Sequence, residues 1–370
     1  MTIYLDAPNL GESEKAKLNE CVDSTYVSTA GPFVPEFEEV FARYHGVEDA
    51  VSVQSGTAAL HIALVELGVG PGDEVIVPAL TFAASVNPVL YTGATPVLVD
   101  VDPKSWTLDP EKTEAALTAR TKVILPVHLY GNPCDMDSLT KIAGAHKIAL
   151  LEDATESLGG TWRGQPTGTL GDFGCFSFNG NKLITTGGGG MVVGKDRGKM
   201  KHIRFLVNQA RDASRGYFHS ELGYNYRMTN LEASLGLAQM ERIKEFLTKK
   251  KRFAAIYREV LQDLKEVTFQ KESDCCESAW WLSSLTYTGG PIAEVQEKLK
   301  ERGIPTRRLF SPLSSLPYLK GFTPVPCPQA ELIYEQGLNL PSSTVNSEKE
   351  VLRAAETLRE VLLERRRGKK

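Results

Sequence analysis

The sequence lacks long apolar runs, and none approaches the roughly 18 uncharged residues that a membrane span requires. Residues 1–15 contain no basic stretch followed by an apolar one, so they do not resemble a secretory signal. Charge of one sign is not in excess either, since 42 lysines and arginines oppose 46 aspartates and glutamates. This balance gives no electrostatic reason to bind nucleic acid. We therefore expect a cytoplasmic protein whose partners are small molecules, with no membrane or nucleic-acid partner.

Cysteine is also scarce, with six residues in a chain of 370. Their spacing fits neither the paired pattern of a zinc site nor the density of a disulfide scaffold. We expect the thiols to be reduced and mostly packed in the interior, and we expect no metal site. The basic residues at 365–370 are interpreted as a frayed, solvated chain end.

Short apolar runs alternate with helix-like segments through the first two thirds of the chain. This order is typical of βαβ units around a mainly parallel sheet, so the sequence predicts an α/β fold. The predicted strands are AVSV (50–53), VIVPA (75–79), PVLVDVD (96–102), VILPVHLYG (123–131), IALLEDA (148–154), CFSF (175–178) and MVV (191–193).

A long amphipathic run follows Asn230 without proline or an interior turn signal, and it predicts one helix over 231–264. We expect this helix to lead from a large domain, residues 1–245 with the N-terminal segment, to a smaller domain, residues 246–370. The smaller domain is predicted to contain a helix over 292–302 and a last helix that begins near Ser347.

Ligands of open parallel sheets bind beyond the carboxyl ends of the strands. The segment SGT (55–57) opens a helix there, and its backbone N–H groups and two hydroxyls suit a bound phosphate. A helix N-cap alone would explain Ser55 equally well. The glycines near Lys182 fit neither the phosphate loop G-x-x-x-x-G-K-[ST] nor the dinucleotide fingerprint G-x-G-x-x-G.

Lys182 lies in SFNGNKLITTGGGG (177–190), a polar loop that ends in four glycines. A primary amine forms an imine with a carbonyl and arginine does not, so this position suggests a Schiff base. Pyridoxal 5'-phosphate (PLP) requires such a lysine together with a phosphate site and a carboxylate for its ring nitrogen. Asp153, at the end of the apolar run IALL (148–151), is placed to supply that carboxylate, and Phe82 is placed to stack on the ring. Each residue alone fits a cap, a turn or the core, but the ordered set predicts PLP.

The sequence resembles a known family, the DegT-type (DegT/StrS) sugar-nucleotide aminotransferases, over nearly the whole chain. The resemblance implies a fold-type-I, aspartate aminotransferase-like architecture, with a mainly parallel mixed sheet in the large domain and a smaller C-terminal α+β domain. The motifs that carry it are YVSTAGPFV, QSGTAALHIAL, PGDEVIVPALTFAAS, LLEDATESLGG, GDFGCFSFNGNKLITTGGGG and LGYNYRMTNLEASLG.

The resemblance also implies roles for individual residues. Lys182 would form the Schiff base and carry protons during turnover, and Asp153 would pair with the pyridinium. Asn225 would reach the phosphate site of the neighbouring subunit, which implies a homodimer with shared active sites. The remaining implied cofactor contacts are Phe82 against the ring, Glu156 near the ring substituents, and Gly56, Thr57 and Ser177 at the phosphate.

The implied reaction moves an amino group from L-glutamate to a nucleotide-linked 4-keto-6-deoxy sugar for surface glycans such as lipopolysaccharide. EDATESLGG with SFNGNK and GGGG resembles the branch that acts on UDP-linked N-acetylated sugars, which we favour. SPLSSLP (311–317) resembles instead the GDP-perosamine synthase pattern. The alternatives are therefore a GDP-4-keto-6-deoxymannose 4-aminotransferase and a 3-keto-sugar aminotransferase. Lys182 argues against the dehydratase branch, whose members carry histidine at this position.

Two other classes of PLP protein are weighed against this interpretation. A cysteine desulfurase needs a mobile nucleophilic cysteine, and no cysteine lies in an obvious glycine-rich loop beside the site. The other alternative enzyme class is an amino-acid lyase with the same fold. A PLP-binding regulator without turnover usually carries a basic DNA-binding domain, for which this acidic chain has no room.

Overall fold

The structure is a computed structural model that describes residues 2–322 and 325–368. The α-helices are α1 (Glu12–Asp23), α2 (Phe33–His45), α3 (Gly56–Glu66), α4 (Asn87–Tyr91), α5 (Pro110–Ala115), α6 (Met136–His146), α7 (Arg197–Leu206), α8 (Asn230–Glu241), α9 (Ile243–Leu261), α10 (Ile292–Glu301), α11 (Pro328–Gln336) and α12 (Glu348–Gly368). The strands are β1 (Asp49–Val53), β2 (Glu74–Pro78), β3 (Thr95–Val99), β4 (Thr121–Ile124), β5 (Ala149–Asp153), β6 (Thr161–Trp162), β7 (Gln165–Pro166), β8 (Phe173–Ser177), β9 (Gly190–Gly194), β10 (Arg211–Asp212), β11 (Phe218–His219), β12 (Val267–Phe269), β13 (Cys276–Glu277), β14 (Ser284–Tyr287), β15 (Arg307–Arg308) and β16 (Gly337–Asn339).

The central sheet has seven strands in the order β1-β9-β8-β5-β4-β2-β3. β9 is antiparallel to both of its neighbours, and the other neighbouring pairs are parallel. Along β2, Val75 and Val77 pack into a core shared with α3 and α7, whereas Ile76 packs on the opposite face with α6. Helices cover both faces, which explains why these strands are apolar along their length. The predicted α/β class is confirmed.

The seven predicted strands are confirmed in position, but two of them end three or more residues earlier than predicted. β3 ends at Val99, and the chain beyond it turns so that Val101 bridges to Leu108. β4 ends at Ile124, shortly before Pro126. Proline has no N–H to continue a ladder, and Tyr130 further on adopts a left-handed φ of 56°.

The predicted single helix over 231–264 is wrong, because the chain breaks at Arg242 into α8 and α9. Arg242 has φ −101° and ψ 0°, outside regular helical geometry. Its guanidinium donates to the backbone oxygen of Asn9 at 3.3 Å and lies 3.4 Å from Glu14. These contacts come from residues far away in sequence, so the local sequence held no signal for the break.

A second, antiparallel sheet has the order β12-β14-β16-β15. Its core joins α9, α10 and α12, represented by Tyr257, Leu299 and Leu358. The predicted helices over 292–302 and from about 347 are confirmed as α10 and α12. The predicted boundary at 245/246 falls in the first turn of α9, and the division into two domains stays a prediction.

The N-terminal segment runs along the C-terminal part of the chain. Ile3 lies in the same core as α12, and the backbone N–H of Tyr4 donates to Asn346 Oδ1 at 2.9 Å. Farther along, the N–H of Ser342 donates to the carbonyl of Leu5 at 2.7 Å. The segment was assigned to the large domain, yet it packs against residues that were assigned to the smaller one.

The six cysteines are free, as predicted, and four of them are buried. The prediction of a solvated chain end is wrong for Arg365, because its side chain is 10% exposed and pairs with Glu294. Lys369 and Lys370 of that basic stretch lie outside the described residues. Within the described ranges, no helix has the length and apolarity to cross a membrane. The same ranges contain no cluster of His, Cys, Asp and Glu arranged to hold a metal ion.

Candidate active site

The carboxyl ends of β1, β5 and β8 meet at one edge of the central sheet, where the chain encloses a cavity of about 380 Å³. Most of the residues proposed from the sequence line this cavity. They are Gly56, Thr57, Phe82, Asp153, Glu156, Ser177 and Lys182. The structure therefore brings together residues that are spread over about 130 positions of the chain, as strand-end ligands of a parallel sheet should be.

One end of the cavity is the N-terminus of α3. Ser55 caps the helix, with its hydroxyl oxygen accepting from the N–H of Ala58 at 3.0 Å. The N–H groups of Gly56 and Thr57 precede the first intrahelical bonds and lie at the positive end of the helix dipole. A Cβ on Gly56 would lie 2.9 Å from Ser177 Cβ, closer than side chains pack. This close approach leaves the N–H groups of Gly56 and Thr57 beside the small side chain of Ser177, an arrangement that fits a phosphate group and is called the α3 cradle below.

Replacing Gly56 with alanine is expected to weaken cofactor binding about tenfold to a hundredfold. The new methyl group would press on Ser177 and would lie 3.0 Å from Thr155 Cγ2, so the cradle would have to open. A titration of the cofactor-free variant with PLP, followed by absorbance, gives the affinity. Gly70→Ala is the matched control, because no atom lies within 4 Å of a Cβ placed there. An unchanged affinity in Gly56→Ala would contradict a phosphate site at this helix.

Asp153 is the last residue of β5, and its side chain is held rigidly. One carboxylate oxygen accepts from the hydroxyl of Ser85 at 2.7 Å, and the other accepts from the N–H of Thr155 at 3.1 Å. Ser85 is in turn 2.9 Å from the hydroxyl of Thr81. Asp153 is only 2% exposed. A buried, oriented carboxylate of this kind is suited to pair with a protonated ring nitrogen.

Lys182 and Glu156 form a buried pair in the cavity. Lys182 Nζ lies 3.7 Å from Glu156 Oε1, too far for a strong hydrogen bond. Burial lowers the pKa of Lys182, although Glu156 and Asp153 oppose the change. Burial likewise raises the pKa of Glu156, against the effect of Lys182. Both groups are thus shifted toward their neutral forms, and a neutral amine is the nucleophilic form of lysine.

Trp281 supports Lys182 from one side, a role that the sequence did not indicate. Its ring centroid is 3.9 Å from Lys182 Nζ, and its indole N–H donates to the carbonyl of Asn181 at 2.7 Å. The buried amine of Lys250 donates to the carbonyl of Trp281 at 2.6 Å. The aromatic run at 280–281 was visible in the sequence, but nothing local linked it to Lys182.

Lys250 is expected to make the stability of the protein depend on pH. Burial lowers the pKa of Lys250 to about 7 in the folded chain, whereas its ordinary pKa in an unfolded chain is near 10.4. Between these two pH values the unfolded chain therefore binds one proton more than the folded chain. The free energy of unfolding should therefore rise between pH 7 and 9, by up to about 1.4 kcal/mol per pH unit. Urea unfolding of Lys250→Met should show a flatter slope, while Lys251→Met, at an exposed position, should match the wild type. Equal slopes in the wild type and Lys250→Met would contradict a buried amine with a lowered pKa.

Arg307 and two phenylalanines also line the cavity. Arg307 comes from β15, and its Nη2 lies 3.0 Å from Asp6 Oδ2 as an ion pair. Within the described residues, neither its buried Nε nor its Nη2 has a hydrogen-bond partner. Phe82 is 55% exposed, and its ring lies 5.3 Å from that of Phe310. Neither Arg307 nor Phe310 was identified from the sequence, because they lie in a proline-punctuated loop without a recognisable motif.

Asn225 lies outside the cavity lining. It is exposed, and its backbone bridges to Asn208 between α7 and α8. The segment before it is also exposed and apolar, with Tyr217 at 85% and Leu222 at 78%. The assignment of Asn225 to the site of a neighbouring subunit stays a prediction.

The donor set of the cavity fits PLP. A helix N-terminus with a glycine cradle suits the phosphate, the oriented Asp153 suits the ring nitrogen, and the Lys182 amine suits the cofactor aldehyde. The mixed, mainly parallel sheet with a smaller C-terminal sheet agrees with fold type I. Fold and site together define the protein as a PLP-dependent enzyme of fold type I.

The chain belongs to the DegT/DnrJ/EryC1/StrS aminotransferase family, which matches residues 8–359. It is 42% identical to a GDP-perosamine synthase of Caulobacter vibrioides over 98% of both chains. It is 41% identical to a GDP-perosamine synthase of Escherichia coli over 95% of this chain and 96% of the relative. A solved structure of a putative sugar aminotransferase from Streptococcus pneumoniae, in its PMP form, covers both chains fully with a TM-score of 0.94 and 30% identity. The protein is thus a PLP-dependent sugar aminotransferase, as predicted.

Proposed function

We propose that the protein transfers the amino group of L-glutamate to C4 of GDP-4-keto-6-deoxymannose, the reaction of a GDP-perosamine synthase. The observation that carries this proposal is the similarity to two relatives of that name, each over at least 95% of this chain. The motif SPLSSLP points the same way. These similarities favour the GDP-linked alternative over the UDP-linked N-acetylated sugar that the sequence motifs favoured. A cytoplasmic location remains a prediction.

The side chains that line the cavity have separate roles in the proposed reaction. PLP, when bound, withdraws electrons from the carbon that carries the transferred amino group. Lys182, with its lowered pKa, would hold the cofactor aldehyde through its neutral amine. Once the amino group of the donor has displaced it, the freed amine would move the proton to and from that carbon. Asp153 keeps the ring nitrogen protonated, since its carboxylate is fixed by Ser85. Glu156 lies beside Lys182 and accepts from the N–H of Tyr130 at 2.8 Å, which keeps its carboxyl group in place near the ring substituents.

Arg307 is the group that we assign to the amino donor. The cavity has to accept a dicarboxylate donor and then an anionic nucleotide sugar, one after the other. A guanidinium presents planar N–H donors that match a carboxylate. The unpartnered Nε of Arg307 supplies such a donor at the cavity wall. Phe82 and Phe310 leave an apolar surface beside it on which the cofactor ring and the deoxy sugar can rest.

We further propose a homodimer in which Asn225 of one subunit binds the cofactor phosphate of the other. The exposure of Asn225, next to exposed Leu222, supports a surface that a second subunit covers. Mixed and reassociated Lys182→Ala and Asn225→Ala subunits provide the test. If the sites are shared, half of the dimers are mixed and each contains one intact site, so activity should recover to about a quarter. No recovery above the separate variants would contradict shared sites.

The nucleotide and the sugar are tested by kinetics with L-glutamate as donor. We expect kcat/KM for GDP-4-keto-6-deoxymannose to exceed that for the UDP-linked 4-keto-6-deoxy N-acetyl sugar by about a hundredfold or more, since a polar pocket discriminates strongly against a wrong partner. The position of the new amino group is read from the product by NMR. A preference for the UDP sugar, or amination at C3, would contradict the proposed substrate while leaving the aminotransferase class intact.

A further inference from the structure

Lys182 lies in a loop between β8 and β9, so no helix or strand fixes its position. The residue before it, Asn181, is held at every polar group of its side chain. Its side-chain N–H donates to Asp6 Oδ2 at 3.0 Å, and its side-chain oxygen accepts from Asn179 at 3.2 Å. Its carbonyl accepts from the indole of Trp281 at 2.7 Å. Among these partners, Asp6 is the one with a charge, and it comes from the far N-terminal end of the chain.

Asp6 also contacts a second residue that lines the cavity. The same oxygen, Oδ2, lies 3.0 Å from Nη2 of Arg307. One carboxylate oxygen therefore connects the lysine loop with the arginine that faces the substrate. The Asp6 side chain is 16% exposed, so water screens these contacts only in part. Asn181 donates a hydrogen bond to this ionised group, which is roughly twice as strong as a neutral one, whereas the contact with Arg307 is an ion pair.

The backbone on both sides of Asp6 is fixed to a different part of the protein. The carbonyl of Leu5 accepts from the N–H of Ser342 at 2.7 Å. The carbonyl of Ala7 accepts from the hydroxyl of Ser343 at 2.7 Å. Because its two neighbours are held in this way, Asp6 presents its carboxylate from a defined place, and Asn181 and Arg307 adjust to it.

We propose that Asp6 is a positioning residue of the active site, which places Lys182 through Asn181 and orients Arg307 directly. The N-terminal segment is thereby part of the catalytic apparatus, although it lies outside the sheet that carries the cofactor residues. The proposal rests on the proposed role of Lys182. It gives separable effects, because the contact with Asn181 concerns the proton-transfer step and the contact with Arg307 concerns donor binding.

The kinetic test compares Asp6→Asn with Asp6→Ala. Asparagine keeps an acceptor for Asn181 but loses the charge that faces Arg307, whereas alanine loses both. We expect KM for L-glutamate to rise about tenfold in both variants, and kcat to fall about tenfold or more in Asp6→Ala alone. Asp23→Asn, an exposed acid in the same N-terminal part of the chain, is the control and should match the wild type. Wild-type kcat and KM in both Asp6 variants would overturn the proposal.

A second readout uses the cofactor-free protein and requires no turnover. Acetic anhydride labels free amines, and peptide mass spectrometry gives the labelling rate of Lys182 relative to the exposed Lys195. A loosened loop should change this ratio severalfold in Asp6→Ala, with no change in Asp23→Asn. An unchanged ratio would contradict positioning of Lys182 by Asp6. This comparison stands even if the protein fails to use L-glutamate, which would contradict the proposed function only.

The route through Asn181 is tested by a double-mutant cycle on the same labelling ratio. Asn181→Ala removes the contact from the side of the loop, so it also serves if Asp6→Ala folds poorly. If Asp6 acts on Lys182 through Asn181, the Asp6→Ala/Asn181→Ala double variant should show no larger change than Asn181→Ala alone. Additive changes would show that Asp6 acts independently of Asn181 and would overturn the proposed route.

Discussion

Replacement of Lys182 with arginine lowers kcat by about a thousandfold or more in our account, the loss expected when a positioned acid–base group is removed. Arginine keeps the positive charge, and its length lets it occupy the space between Glu156 and Trp281. However, the guanidinium stays protonated above pH 12 and forms no imine, so it supplies neither the nucleophile nor the proton carrier. The expected loss therefore comes from chemistry and not from charge or volume.

The measurement is the rate of amino transfer from L-glutamate, together with the melting temperature of each variant. Lys195→Arg is the matched control, since Lys195 follows β9 and is exposed. We expect wild-type turnover in the control and a folded protein in both variants. Turnover within tenfold of the wild type in Lys182→Arg would assign the chemistry to another residue.

Asp153→Asn is expected to lower kcat by about a hundredfold, a typical cost of losing one electrostatic partner in a buried site. Asparagine has nearly the same shape: its one side-chain oxygen can still accept from the N–H of Thr155, and its NH2 group can donate to the hydroxyl of Ser85. It carries no negative charge, so the ring nitrogen would no longer be held in its protonated form. The loss should appear mainly in kcat, because the phosphate contacts at α3 are unchanged.

A graded series separates the charge of Asp153 from its orientation. Ser85→Ala removes the hydrogen bond of 2.7 Å to Asp153 and leaves the charge, so a loss of about tenfold is expected. The exposed Asp137→Asn is the control for the chemical change itself. A larger loss in Ser85→Ala than in Asp153→Asn would indicate that orientation, and not charge, is the contribution of this residue.

The positions of Lys182, Asp153 and the α3 cradle at one cavity were predictable, because each lies at or after the carboxyl end of a strand in a mainly parallel sheet. Strand ends meet at one edge, so a sequence of apolar runs gives both the fold and the neighbourhood of its ligands. The motif order added the cofactor and the family. Phe82 was placed correctly in the cavity by the same argument, since it follows β2.

Trp281, Arg307 and Asp6 were not predictable in this way. Trp281 and Arg307 lie about 100 and 125 residues beyond Lys182, and Asp6 lies about 175 residues before it. Their contacts depend on how the N-terminal segment and the C-terminal sheet pack against the central sheet, which no local pattern encodes. The break at Arg242 is similar, because the side chain at the break contacts Asn9 and Glu14, which are far away in sequence.

The reaction proposed for this site depends on Lys182 being the amine that holds the cofactor. Reduction of the PLP-loaded protein with sodium borohydride fixes the cofactor to its lysine, and digestion followed by mass spectrometry identifies the peptide. We expect the added mass on the peptide that contains Lys182, and no such peptide from Lys182→Arg. Added mass on another lysine, or on none, would contradict this role of Lys182.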